Sequence, residues 1–295
     1  MTFPTPFKAI VLLAIAFLFF AGACPAGPPQ PGKAGELPRP ARIVSLSPAV
    51  TESLYLLGLK DNIAGVTTYC NRPGDARTKP VVGTVIEPDI EKIVKLRPDL
   101  VLTMSLTNQK ALAKMRSLGL NVLTYEIPRT FFGLCDVFLQ IGRATGTAGE
   151  ARRIVDAARS DVDAIRAATR KLKKPRVMIE LGSKPFFVAT ADFFVNDYLE
   201  FAGAFNIFKD APSGNVGREE AVMRNPDVII IVTMGVSGKS EREAWRRYMS
   251  VNAVKSGRIF VIDSDDVCSP TPPGFVRSLK RIAALLHPDF PGGPE

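Results

Sequence analysis

DIEKIVKLRPDLVL at residues 89–102 and GREEAVMRNPDVII at residues 217–230 share one pattern, 128 positions apart. At that offset Glu91 matches Glu219, Val94 matches Val222, Pro98 matches Pro226 and Asp99 matches Asp227. In each copy a short helical run opens near a glutamate, stops at Pro-Asp and passes into an apolar strand. Proline stops the run because it lacks the N–H donor and its ring clashes with the preceding turn. Helix–proline–strand is a common sequence in α/β chains, but the equal Glu-to-Pro spacing favours two related lobes.

Outward from these copies, short β-branched runs fall at residues 43–46, 63–67, 100–104 and 122–125, then at 177–181, 228–232 and 259–262. They alternate with helical patterns, which predicts an α/β chain with mainly parallel sheets. Between the two sets, residues 149–174 hold no Gly or Pro after Gly149. Val155, Ala158, Val162, Ile165, Thr169 and Leu172 recur every three or four positions there, one face of a long helix. The expected organisation is an N-terminal lobe (42–148), a bridging helix (149–174) and a C-terminal lobe (175–295). A ligand cleft is expected between the two similar α/β lobes.

Residues 1–23 carry one charge, Lys8, then an apolar run at 10–20 and Ala21-Gly22-Ala23. This is the pattern of a secretory signal, too short to span a bilayer as a mature anchor. Cys24 stands where an exported bacterial chain is lipidated. Ala21 replaces the usual Leu, so plain cleavage after Ala23 is the other reading. Residues 24–41 are dominated by Pro and Gly and read as a semi-rigid tether. The expected location is the periplasm or the outer face of the cell membrane.

At 295 residues, with 46 % hydrophobic and 23 % charged residues, the chain has room for two packed lobes. The net charge of +9 comes from scattered residues, densest at Arg170, Lys171, Lys173 and Lys174, with no interleaved aromatics. Nucleic acid is therefore not an expected partner. The single histidine, His287, excludes HExxH zinc chemistry and leaves a Ser-His-Asp triad only one base. Gly238-Lys239-Ser240 lacks the glycine five places earlier that a phosphate loop needs, because Thr233 stands there; a surface loop is expected. No catalytic or metal-ligating set emerges, and Cys135 and the Phe131-Phe132 pair read as core.

RIVSLSPAVTESLYLLGLKDNIAGVT (42–67), VTTYCNRPGDARTKPVVG (66–83), EPDIEKIVKLRPDLVL (87–102), the long helix and NVGREEAVMRNPDVIII (215–231) occur in this order. From about residue 42 to residue 288 the chain resembles periplasmic binding proteins of the iron-siderophore and cobalamin importers. The resemblance implies two lobes spanned by a rigid helix, with little hinge closure, and a monomer with no cofactor of its own. Its partners would be an ABC permease dimer and the ATPase subunits that hydrolyse ATP. The cobalamin-binding branch is the most similar, so the implied ligand is a corrinoid, with a ferric siderophore or haem as alternatives.

The same resemblance sets Tyr69 against the ligand and puts Val85, Met104, Phe186, Phe187, Asp265 and Asp266 on cleft loops. Val85, Met104 and Ser213 stand where the family's best-known cobalamin binder carries Trp, and the one Trp here is Trp245. Glu91 and Glu219 would pair with permease arginines, a placement that suits a two-fold partner. Taken alone, each simply complements a helix dipole. Cys70 and Cys268 are drawn toward the cleft, as a disulfide or as thiolate ligands. Two readings from other classes are an extracytoplasmic enzyme using Asp265, Asp266 or Cys268, and a structural lipoprotein.

Overall fold

The computed structural model describes residues 39–233 and 238–290, and in it the two copies of the helix–proline–strand segment fold alike. The expected signal segment, Cys24 and the tether up to residue 38 lie outside the described residues. The N-terminal lobe runs β1 (Ile43–Ser45), α1 (Pro48–Leu56), β2 (Ile63–Gly65), α2 (Ile90–Lys95), β3 (Leu100–Met104), α3 (Gln109–Ser117), β4 (Val122–Tyr125) and α4 (Phe131–Ala144). Helix α5 (Ala148–Thr169) leads to the C-terminal lobe. There follow β5 (Arg176–Ser183), β6 (Phe186–Val188), α6 (Val195–Phe201), β7 (Phe205–Asn206), α7 (Arg218–Arg224), β8 (Val228–Val232) and α8 (Gly238–Trp245). The chain finishes with α9 (Asn252–Lys255), β9 (Ile259–Ile262), α10 (Ser264–Val267) and α11 (Pro272–Leu286).

The repeat is visible down to single bonds. Helices α2 and α7 are each followed by a left-handed residue at the same offset, Arg97 and Asn225, both at φ 46°. Arg42 Nε donates to the carbonyl of Leu96 at 2.8 Å, and Arg176 Nη2 donates to the carbonyl of Arg224 at 2.8 Å. Asp99 Oδ2 accepts from the Arg42 amide at 2.8 Å, and Asp227 Oδ2 from the Arg176 amide at 3.1 Å. The strands then pair in the same register, Ile43 with Leu100 and Val177 with Val228.

The N-terminal sheet is parallel in the order β2-β1-β3-β4. In the C-terminal sheet β5, β8 and β9 are parallel, while β6 returns antiparallel along β5 and β7 pairs with the start of β5. Side chains alternate across each sheet, as strand geometry requires. Leu100, Leu102 and Met104 join one core, whereas Val101 joins another on the far face. Val228, Ile230 and Val232 join that same first core, and Ile229 and Ile231 face away from it. The first core is therefore common to both lobes.

Helix α5 is the element that makes it common. Its 22 residues rise ~33 Å, and it buries Ala151, Val155, Ala158, Val162, Ile165 and Thr169 on one face. Against it lie α4 and α11, whose first turns meet at mid-molecule, with Phe131 and Phe275 ring centroids 4.7 Å apart. Gly142 allows α4 this approach: a Cβ there would come within 2.4 Å of the Ala151 Cβ.

Four expectations are corrected. The bridging helix ends at Thr169, not residue 174, since the residue before Pro175 is disfavoured in helical backbone and the chain straightens toward β5. Phe186-Phe187, expected in a loop, form β6. Gly238-Lys239-Ser240 opens α8 with Gly238 buried, not an exposed loop. Asp265 and Asp266, expected on a cleft loop, occupy the helical turn α10. Cys135 and Phe131 are fully buried, as expected of core, while Phe132 is half exposed.

Candidate functional site

In a parallel sheet the loops after the strands gather at one end, which is where α/β proteins place ligands. In the N-terminal lobe these loops are tied to one another. The Thr68 amide donates to Gly83 at 3.0 Å, Thr107 Oγ1 to the Val85 carbonyl at 2.8 Å, and the Asn108 amide to Ile86 at 3.0 Å. Each loop presents one large apolar side chain to solvent. Tyr69 is 61 % exposed, Ile86 57 %, Leu106 56 % and Ile127 44 %. Water-facing apolar groups grouped in this way mark a binding surface.

Between the lobes this wall opens into two adjoining compartments that share Ile127, Pro128 and Phe194. The inner one, about 100 Å³, is apolar and lined by Val50, Met104, Leu106, Phe138 and Cys268 among others. Ser47 also lines it, at the start of α1, and is 6 % exposed. The outer compartment, about 570 Å³, has Ser105, Glu126 and Arg129 on one side and Phe187, Thr190 and Asp192 on the other. Gly214 keeps the outer wall open, because a Cβ there would lie 2.6 Å from the Phe187 ring.

Of the expected cleft residues, Met104 and Phe187 line these compartments, as does Ser213. Val85 lines neither, but its carbonyl holds the Ser105–Asn108 loop in place through Thr107. Tyr69 lines neither compartment; it stands two residues before Asn71, whose Nδ2 donates to Asp265 Oδ2 of the other lobe at 2.9 Å. Asp265 is thereby engaged in a bond between lobes. Asp266 pairs with Arg281 at 3.1 Å and lies 3.9 Å from Arg72.

Phe186 is the exception. On β6 it points opposite to Phe187. It stacks 4.8 Å from the Arg218 guanidinium and 6.0 Å from the Trp245 ring, on the far side of the sheet. That side holds a buried charge cluster. Trp245 Nε1 donates to Glu180 Oε2 at 2.6 Å, Arg218 pairs closely with Glu241, and Glu180 lies 3.8 Å from Arg218. Burial pushes the Glu180 carboxyl up to about 8, with Glu241 adding to the rise and Trp245 and Arg218 opposing it.

Neither Cys70 nor Cys268 is in a disulfide, so the pairing expected as one alternative is not formed. Cys70 is enclosed by the Thr51 and Thr67 hydroxyls at 3.1 and 3.2 Å, inside the N-terminal lobe. At Cys268 burial, followed by Asp265 and Asp263, pushes the thiol up to about 11. Among the described residues no three His, Cys, Asp or Glu side chains converge as a metal site. His287 is buried with Nε2 2.7 Å from the Ala202 carbonyl, away from both compartments.

Glu91 and Glu219 are exposed in the first turns of α2 and α7. Both helices lead into parallel strands from behind, so their N-termini lie at the cleft end of each lobe. Met223, one turn beyond Glu219, is 78 % exposed.

The sequence model for the periplasmic binding protein family matches residues 43–266. This chain belongs to that family. It is 31 % identical over 261 residues to the ABC transporter substrate-binding lipoprotein YvrC of Bacillus subtilis (strain 168), covering 85 % of this chain and 81 % of that one. The vitamin B12-binding protein of Yersinia pseudotuberculosis serotype O:1b (strain IP 31758) is 27 % identical over 232 residues, 78 % of this chain and 77 % of its own. A periplasmic heme binding protein from Pseudomonas aeruginosa shares the fold, with a TM-score of 0.76 and 22 % identity over 85 % of this chain and 94 % of that one. This periplasmic binding protein is the substrate-binding component of an ABC importer, and it works outside the cytoplasm.

Reading the sequence missed Leu106 and Ile127 on one wall of this binding protein's cleft, and Thr190 and Asp192 on the other. A signal was present: Leu106 and Ile127 each stand two residues after an apolar strand, where the loops that face ligand begin.

Proposed function

We propose that this periplasmic binding protein captures a corrinoid between its lobes and delivers it to a permease dimer. Glu91 and Glu219 dock on that dimer, and Cys24 carries a lipid that holds the monomer at the membrane. The chain makes and breaks no bond; ATP is hydrolysed by its partners. The observation that carries the reading is the apolar lining between the lobes, where Leu106 and Ile127 share compartments with Phe187 and Phe194, beside the exposed Tyr69 and Ile86 on the neighbouring loops of the N-terminal lobe. A broad apolar plate between two such surfaces suits a flat macrocycle, with few polar groups needed to fix its orientation.

Haem is the second reading, favoured by one observation. Tyr69 presents an exposed phenol at the wall, and a tyrosine oxygen is one of the axial ligands that hold haem iron. Calorimetric titration of the exported chain with cyanocobalamin and with hemin separates the two. On the corrinoid reading cyanocobalamin binds one to one. Tyr69→Phe then keeps that affinity because the ring still packs, and Tyr69→Ala weakens it about tenfold or more, the loss expected of a buried aromatic contact. Tight hemin binding, with an iron–phenolate absorbance band lost in Tyr69→Phe, would replace the corrinoid by haem.

A further inference from the structure

The outer end of the C-terminal lobe carries a positive charge that the protein itself leaves unanswered. Helix α5 stops at Thr169, and Arg170, Lys171, Lys173 and Lys174 follow before β5 begins. Lys255 joins them from the end of α9, sharing with Lys173 an open hollow of about 510 Å³ that Leu172 and Pro175 also line. All five cations are exposed, and none has an ion pair among the described residues. Two carboxylates line the same hollow, Asp227 and Asp289. Asp227 is already engaged, accepting from the Arg176 amide and from Asn252 Nδ2, both at 3.1 Å. A cation or two at this place would complement the dipole of α5, and five drawn from two parts of the chain exceed that need. The fold also brings in an aromatic that the basic stretch lacks. Phe205 of β7 pairs in register with Arg176, lies 6.0 Å from its guanidinium and is 48 % exposed.

Clustered cations beside an exposed aromatic match a bilayer with anionic headgroups. The phosphates attract the charges, and the ring enters the boundary between headgroups and acyl chains. The position of the patch suits that partner. Residues 170–176 and 255–258 precede parallel strands, so they lie at the end of the lobe away from the cleft, and contact there leaves Glu91 and Glu219 uncovered. The described chain begins at Arg39, just ahead of β1 at the outer end of the other lobe. The 15 residues from Cys24 to Pro38 reach at most ~46 Å at the ~3.1 Å per residue of extended Pro-rich chain, more than the ~33 Å that α5 rises between the two outer ends. A chain held at Cys24 therefore has the length to set its far end on the same bilayer. We propose that the outer end of the C-terminal lobe docks on an anionic lipid surface. Lys173, Lys174 and Lys255 meet headgroup phosphates, with Arg170 and Lys171 beside them, and Phe205 supplies the apolar contact. The cleft then stays open to ligand, close to the membrane that holds the permease.

The test is co-sedimentation with lipid vesicles, using the exported chain with Cys24→Ser so that no acyl chain contributes. Salt is held at about 0.1 M, where charges still interact within ~10 Å. Vesicles of phosphatidylcholine with about 40 % phosphatidylglycerol should be bound at least tenfold more tightly than phosphatidylcholine alone. Arg170→Gln/Lys171→Gln/Lys173→Gln/Lys174→Gln should weaken binding to the anionic vesicles at least tenfold, since each cation near such a surface is worth about fivefold. Lys110→Gln/Lys114→Gln/Lys239→Gln/Arg247→Gln, an equal loss of exposed charge elsewhere, should weaken it less than about threefold. Phe205→Ser should weaken it about threefold and leave its dependence on salt unchanged, which separates the ring from the charges. Melting curves confirm that each variant folds. Equal binding of the two kinds of vesicle, binding of neither, or equal losses in the two quadruple variants overturns the proposal. So does displacement from the vesicles by a DNA duplex at equal phosphate concentration with Phe205→Ser binding like the wild type, because the surface would then read any polyanion. The corrinoid reading rests on the cleft and stands or falls separately.

Discussion

Glu180 is 1 % exposed on β5, with Trp245 Nε1 on one oxygen and Arg218 committed more closely to Glu241 than to it. Burial is the dominant influence on it and raises its pKa to about 8 from the ordinary 4.5. Between those values the folded chain holds a proton that the unfolded chain has released. Stability from this group is therefore present at acid pH and is lost as the pH rises through about 8. Glu180→Gln keeps an acceptor for Trp245 and removes the titration. Its melting temperature should fall less between pH 5 and pH 8 than that of the wild type, a gap of several degrees at about 2–4 °C per kcal/mol for a chain of this size. Equal slopes in the two proteins would mean that Glu180 is already ionised when folded. The neighbouring pair Phe186 and Phe187 shows what reading at this scale misses. As a loop dipeptide the two were equivalent; as strand residues they face opposite ways, and only Phe187 reaches the cleft.

At the scale of elements, the duplicated segment ends each helix with the same backbone turn, but the two residues that make it are not equally suited. Asn225 at φ 46° is a side chain that tolerates left-handed backbone, and its Oδ1 accepts from the Asn252 amide at 2.8 Å. Arg97 at the same φ has no such compensation for its Cβ. Arg97→Asn should therefore stabilise the protein by up to about 1 kcal/mol, and Asn225→Arg should destabilise it by more than that, because the bond to Asn252 goes too. Urea denaturation of the two variants measures both changes, and a destabilised Arg97→Asn would refute the argument. The elements themselves were largely legible. β3, β4, β8 and β9 lie where β-branched runs between turn residues placed them, since a fully buried parallel strand reads as a continuous apolar run. β6, β7 and α10 were not legible. Each is short and defined by what it packs against, β6 by its pairing with β5 and α10 by its position between β9 and α11. The cleft was half legible for the same reason: hydrophobicity shows that Leu106 and Ile127 are apolar, and only the tertiary fold shows that they stay in water.

At the scale of the whole molecule, two features set the width of the cleft. One is the apolar core that runs through both lobes by way of α5. The other is a polar seam at the cleft floor, centred on Glu52 of α1. Glu52 Oε1 accepts from Thr271 Oγ1 at 3.2 Å and pairs with Arg277 at 3.5 Å, both on the C-terminal side, while Oε2 lies 3.3 Å from Arg72. Arg72 Nη2 reaches the Ser269 carbonyl at 3.3 Å, and Asn71 reaches Asp265 beside it. The Glu52 side chain is 10 % exposed and the Arg277 side chain 65 %, so the partners differ in what their loss leaves behind. Glu52→Ala strands Arg72 and Thr271 in a largely dry seam and should cost about 2–3 kcal/mol. Arg277→Ala exposes a group that water already serves and should cost less than about 1 kcal/mol. The shared core makes a further demand on the same measurement. If it couples the lobes, calorimetry of Glu52→Ala should still show one transition, shifted to lower temperature. Two resolved transitions would show that the seam, not the core, makes the lobes unfold together, and the cleft would then be free to open wherever the seam is broken.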